Sequence, residues 1–173
     1  MATTRHPGPV LRRLLGAPVL LYRAGLGPLL GERFLMLTHV GRRTGRVYRT
    51  VVEVVDRQPA GDAYVVMAGF GRATGWLHNL QAGGGREVLV GRRRFRPVIR
   101  MLEPAEAAAA LASYEHRNRI ATPVIRFVLG RLIGRRYGGS AAERLRVVEQ
   151  LPLVAISPAP PAEGQEAEAE AAG

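Results

Sequence analysis

The chain has 173 residues, 47% of them apolar and 6% aromatic, which is enough for one folded domain with its own core. Cysteine is absent, so disulfides, thiolate nucleophiles and thiolate metal sites are excluded. The formal charge is +11 and all 25 basic side chains are arginine, which excludes Schiff-base lysines and the lysine-dependent phosphate loop and points to a multiply anionic partner.

Residues 1–32 read as an amphipathic helical segment. Arg12 and Arg13 precede an apolar run, Leu14 to Tyr22, that is broken near Pro18 and closed by Arg23. The run is too short for a transmembrane span and lacks the small-residue cleavage site of a signal peptide. The expectation is a helix that packs on the core or lies on an anionic membrane as a peripheral contact, in a cytoplasmic protein.

Strands then follow in quick succession. Phe34 to Val40 is apolar and closes at Gly41; Val47 to Asp56 contains Val51-Val52-Glu53-Val54-Val55, a β-branched run that predicts a strand buried on both faces. A turn over Pro59 to Asp62 leads into Ala63 to Ala68. Glu87 to Val90, the turn at Gly91-Arg92, and Arg94 to Leu102 predict a hairpin, and Pro97 places its second strand at an edge or a bulge. Pro104 opens an alanine-rich helix to about Arg119, and two more helices are expected near Pro123 to Arg136 and Ser140 to Gln150, the latter with a capping box at Ser140 and Glu143. Leu153 to Ile156 is a last strand. Residues 159–173 hold Glu163, Glu166, Glu168 and Glu170 and no large apolar side chain, the composition of a disordered acidic tail. Six strands with short connections and flanking helices predict an α+β fold, mainly β: a small antiparallel barrel over residues 33–158.

Chemistry is sparsely supplied. His6, His39, His78 and His116 show no metal-ligand spacing, and the two aspartates, Asp56 and Asp62, flank one turn. Two segments stand out. Gly41-Arg42-Arg43-Thr44-Gly45-Arg46 joins two strands and combines exposed backbone N–H groups, a hydroxyl and three guanidiniums, which suits a phosphate or carboxylate; its plain alternative is a hairpin turn with solvated arginines. In Ala68-Gly69-Phe70-Gly71, followed by Trp76 to Leu80, glycines let a planar ligand approach the backbone beside the one tryptophan; its plain alternative is core packing, with His78 and Asn79 as a helix-face pair.

The order of the two segments, G-R-R-T-G-R and then W-L-H-N-L-Q-A, resembles the deazaflavin (coenzyme F-420)-dependent nitroreductase family over Arg33 to Pro158. That resemblance implies a six-stranded split β-barrel of the FMN-binding, flavin-reductase type. It implies coenzyme F-420 as cofactor, its phosphate and polyglutamate tail held by Arg42, Arg43, Thr44 and Gly45, with Thr50 at a hydroxyl-bearing strand position. Ala68, Gly69, Phe70 and Gly71, together with Trp76 and Asn79, correspond to the stretch flanking the deazaflavin ring. Two departures stand in this chain: Val47-Tyr48 replaces a Pro-Arg pair, for which Arg46 on the same strand face is the expected substitute, and Gly83-Gly84-Gly85 replaces an Asn-Pro turn. The implied reaction is hydride transfer to an electron-poor small molecule (a quinone, an enone or a nitro compound), with Tyr114 or His78 as the proton source. FMN or haem in the same groove is the nearest alternative, though FMN needs fewer arginines. A non-catalytic basic protein on nucleic acid or a membrane surface is the other; few aromatics interleave the arginines, so no nucleic-acid partner is expected. A monomer or a homodimer both fit.

Overall fold

The computed structural model describes residues 31–58 and 62–160. The N-terminal helical segment and most of the acidic tail lie outside the described residues, as does the middle of the turn at 59–61. Seven strands form one antiparallel sheet: β1 (Phe34–Val40), β2 (Val47–Gln58), β3 (Ala63–Met67), β4 (Gly85–Val90), β5 (Arg93–Phe95), β6 (Pro97–Met101) and β7 (Leu153–Pro158), in the order β5-β4-β1-β2-β3-β7-β6. Helix α1 (Gly75–Gln81) follows a short 3-10 turn after β3; α2 (Pro104–Arg117), α3 (Thr122–Ile133) and α4 (Ala141–Gln150) lie between β6 and β7.

The strand expected over Arg94 to Leu102 is two strands, and that correction closes the fold. β5 pairs with β4 at one end of the sheet, β6 pairs with β7 at the other, and only Arg96 separates them in the chain. One residue can bridge the two ends only if the sheet rolls until its edges meet, so the result is a nearly closed barrel. Pro97, which has no N–H to give a ladder, sits where the chain changes edge.

β2 makes the opposite bend. It pairs with β1 from Val47 to Glu53 and with β3 from Val54 onward, with a register shift between Val54 and Asp56 that lets one long strand serve both halves of the barrel. The double burial expected of the β2 valines belongs to β3 and β7 instead: only Val55 of β2 is buried, whereas Ala63 to Val66 and Leu153 to Ile156 are buried throughout. The reason is layering. Tyr64, Val66, Val154 and Ile156 face the barrel interior with Leu35, Leu37, Val88 and Val90. Ala63, Val65, Leu153 and Ala155 face outward against Ala107, Ala110, Leu111, Val147 and Val148 of α2 and α4. Both faces of those two strands are therefore core.

Helix α4 starts as the sequence predicts. The Ser140 hydroxyl accepts from the Glu143 backbone N–H, and the Glu143 carboxylate accepts from the Ser140 hydroxyl at 2.7 Å and the Ser140 N–H at 3.0 Å; those bonds, the hydroxyl's first, hold the carboxyl down at a pKa of about 2.

Candidate functional site

At the end of β1 the loop 41–46 turns back into β2 and faces the start of α1. Between them lies a cleft of about 400 Å³. It is lined by His39 of β1, Tyr48, Arg49 and Thr50 of β2, Gly41, Arg42, Arg43 and Thr44 of the loop, and Gly75, Trp76 and Asn79 of α1. Three guanidiniums and, among the described residues, no carboxylate line it, so its lining is positively charged.

The loop owes its shape to a tight turn. The Gly45 N–H donates to the Gly41 carbonyl at 2.8 Å and the Gly41 N–H to the Arg46 carbonyl at 2.8 Å, with Gly45 at positive φ. A Cβ on Gly41 would lie 2.7 Å from both the Thr44 hydroxyl and the Tyr48 ring, so any side chain there would have to displace one or both. This turn overturns one expectation. Its amides are mostly spent internally: Arg42 N–H donates to Asn79 Oδ1 at 3.1 Å and Arg46 N–H to Thr44 Oγ1 at 3.3 Å. Most of the loop's backbone N–H groups are therefore not free to form a cradle, and the groups it presents to the cleft are side chains.

A buried polar junction fixes the loop to the barrel. Since a backbone N–H can only donate, the Asn79 atom facing Arg42 is its carbonyl oxygen, and its amide nitrogen, 3.0 Å from His39 Nδ1, donates there. His39 Nδ1 is thus an unprotonated acceptor. The ring proton sits on Nε2, 3.2 Å from Thr50 Oγ1, and is donated to it. The Thr50 hydroxyl accepts from within and is left to donate outward, into the cleft. Burial pushes the His39 pKa below its ordinary 6.5, which keeps the ring neutral. Tyr48 stacks on it at 5.8 Å and joins its own hydroxyl to Thr44 at 3.2 Å.

The junction carries a pH prediction. Because the native His39 pKa is lowered, its contribution is complete above 6.5 and is lost as pH falls below that value, when a second ring proton would oppose the Asn79 amide. Nitrogen-15 NMR of the imidazole should show the Nε2–H tautomer persisting on the acid side of pH 6.5. Loosening of the loop should track the second protonation; a ring that titrates at 6.5 or above would contradict the assignment.

Of the residues singled out from sequence, Arg42, Arg43, Thr44, Thr50, Trp76 and Asn79 meet at this cleft. Gly45 shapes the loop without lining the cleft. Arg46, the last residue of the turn before β2, does not line the cleft, whereas Arg49 does. Ala68 is buried in the barrel core, Phe70 is half exposed, and Gly71 packs against the Gln150 carbonyl, where a Cβ would sit 2.9 Å away. Gly69 lies in the same segment, outside the lining. His78 is likewise outside it. Tyr114 reaches the outer face of β2, where its hydroxyl donates to Glu53 at 2.7 Å; burial and that carboxylate raise the phenol pKa well above its usual value. His39 is the residue sequence reasoning passed over. Its signal was parity: it shares the inward face with buried Leu35 and Leu37. Gly84 explains the triple glycine, since a Cβ there would lie 2.6 Å from the Val40 carbonyl and 2.7 Å from the Asn79 carbonyl.

Comparison with known proteins adds the following. Residues 6–123 match the family model "F420H(2)-dependent quinone reductase". No curated protein matches the sequence. Among solved structures, a protein of unknown function from Agrobacterium tumefaciens str. C58 is 16% identical at a TM-score of 0.44; the match covers 90% of this chain and 58% of that one. An "F420-H2 Dependent Reductase (FDR-A)" is 16% identical at a TM-score of 0.40, covering 74% of this chain and 96% of its own. A Clostridium acetobutylicum protein related to general stress protein 26, of the pyridoxinephosphate oxidase family, is 7% identical at a TM-score of 0.40, with 82% and 84% covered.

Proposed function

The chain belongs to the F-420-dependent quinone reductase family, and from that premise we propose that the cleft between loop 41–46 and α1 holds coenzyme F-420 and serves hydride transfer to an electron-poor small molecule: a quinone, an enone or a nitro compound. The observation that carries this reading is the pairing, in one cleft, of three arginines that no carboxylate opposes with the lone tryptophan.

The residues present fit such a cofactor. A phosphate and a chain of carboxylates need several guanidiniums, and Arg42, Arg43 and Arg49 of the lining supply them. A flat ring needs an apolar wall and one or two directed donors, which Trp76 and the outward hydroxyl of Thr50 provide. When bound, the deazaflavin supplies the hydride chemistry at its C5. The protein's part is orientation and exclusion of water: the Arg42–Asn79–His39–Thr50 chain makes loop and strand one rigid unit, so a ligand gripped by the loop is set at a fixed distance from Trp76. FMN, with a single phosphate, leaves part of that arginine set unused. Tyr114, turned to Glu53 on the outer face, takes a packing role in this reading, and His78 is left out of the proton path.

The test is a titration of the full chain with oxidised F-420, following the fluorescence of Trp76, with FMN as the control. Saturable quenching by the deazaflavin, at least about tenfold stronger than by FMN, is expected from the additional ion contacts. Equal response to both, or none to F-420, would refute the assignment of the cleft.

A further inference from the structure

Helix α3 is apolar on two sides, and among the described residues only one of them is packed. Ile125, Leu129, Leu132 and Ile133 pack toward the outer core. On the other side Val124 is 63% and Phe127 69% exposed, and Ile120, in the turn one helical turn earlier, is fully exposed. The spacing 120, 124, 127 and 131 puts these three and Arg131 on one stripe. Single exposed apolar side chains are ordinary. Here, however, three of the eight large ones among the described residues fall within eight consecutive positions.

The charge around the stripe has one sign. From His116 to Ala142 the sequence holds six arginines and no carboxylate. Arg117 is engaged by Asp56 and Arg126 by Glu115. Arg119, Arg131, Arg135 and Arg136 are exposed and pair with no carboxylate among the described residues. Apolar side chains ringed by unpaired guanidiniums match the boundary between acyl chains and anionic headgroups. A nucleic acid would have no use for the stripe, and an ordinary protein interface is depleted of charge at its centre but not of one sign around it.

We propose that the outer face of α3 docks this protein on an anionic phospholipid bilayer, with Ile120, Val124 and Phe127 entering the acyl boundary and Arg119, Arg131, Arg135 and Arg136 meeting the phosphates. The family match ends at Pro123, the second residue of this helix, so Val124, Phe127, Arg131, Arg135 and Arg136 lie beyond it, while Arg119 and Ile120 lie within it. The proposal does not depend on what the cleft binds.

The full chain is sedimented with vesicles of phosphatidylcholine containing about 30% phosphatidylglycerol, and with phosphatidylcholine alone. Binding to the anionic vesicles, weakening with salt, is expected. The double variant Val124→Ser/Phe127→Ser and, separately, Arg131→Gln/Arg135→Gln should each lose at least about tenfold in partition. Circular dichroism and the Trp76 fluorescence response should stay as in the parent, because none of the four residues touches the cleft. Three results overturn the proposal: no binding to anionic vesicles, equal binding by parent and both variants (which places the contact elsewhere, such as residues 1–30), or a dimer in light scattering that Val124→Ser/Phe127→Ser dissociates, which makes the occupant a second copy.

Discussion

Replacing Arg42 and Arg43 together by alanine should weaken F-420 binding at least about 100-fold while leaving thermal unfolding nearly unchanged. Each charge-assisted hydrogen bond to a phosphate or carboxylate contributes about 1.5–3 kcal/mol, and two such groups are removed from the same loop. Stability is spared because both side chains are exposed and the contact anchoring the loop is made by the Arg42 backbone N–H, which alanine keeps. The guanidinium of Arg42 does reach Asn79 Oδ1 at 3.4 Å, but that oxygen retains the shorter backbone bond. Titration of Trp76 fluorescence and a thermal melt of the same sample check both halves. Full affinity in the double variant would show that the arginines are solvated decoration on a turn. A matched loss of affinity and melting temperature would show instead that the loop had collapsed.

The turn of the arginine loop was readable because its composition is local: glycine at both ends of a short polar run says turn without tertiary context. The same holds for the capping box at Ser140 and for the edge position of Pro97. What the sequence could not deliver depends on the far side of each strand. The valines of β2 and those of β3 look alike, yet α2 and α4 cover the outer face of β3 and leave most of β2 half exposed. Gly69 and Gly71 invite a ring on composition alone, and the structure gives Gly71 to the Gln150 carbonyl of α4, more than seventy residues on. Arg46 falls in the turn before β2 begins, where strand alternation does not apply, and it stays outside the cleft lining. His39 was hidden by the absence of metal-ligand spacing; its partners, Asn79 and Thr50, come from two other elements, and only parity with Leu35 and Leu37 marked it.

The helical cap hides a second polar junction of this kind, and it carries the largest expected stability effect. Glu115, 4% exposed in an alanine-rich helix, accepts from Arg126 Nε at 3.1 Å and from Arg144 Nε and Nη2 at 2.8 and 2.7 Å, so one carboxylate ties α2 to α3 and α4. Glu115→Ala leaves two guanidiniums facing each other beside the buried Tyr137 hydroxyl, and removing one side of a buried ion pair costs about 3–5 kcal/mol. For a domain of this length that lowers the melting temperature by roughly 10 °C, since each kcal/mol is worth about 2–4 °C. Glu115→Gln keeps the acceptor oxygen and should lose roughly half as much. Most of the cost comes from stranding the arginines rather than from the pair itself. Replacing all three residues with apolar ones, as Glu115→Leu/Arg126→Met/Arg144→Met, should therefore recover most of the loss. Scanning calorimetry of the three variants decides it: a triple variant no more stable than Glu115→Ala would mean that the ion pairs, and not their desolvation balance, hold the helices on the sheet.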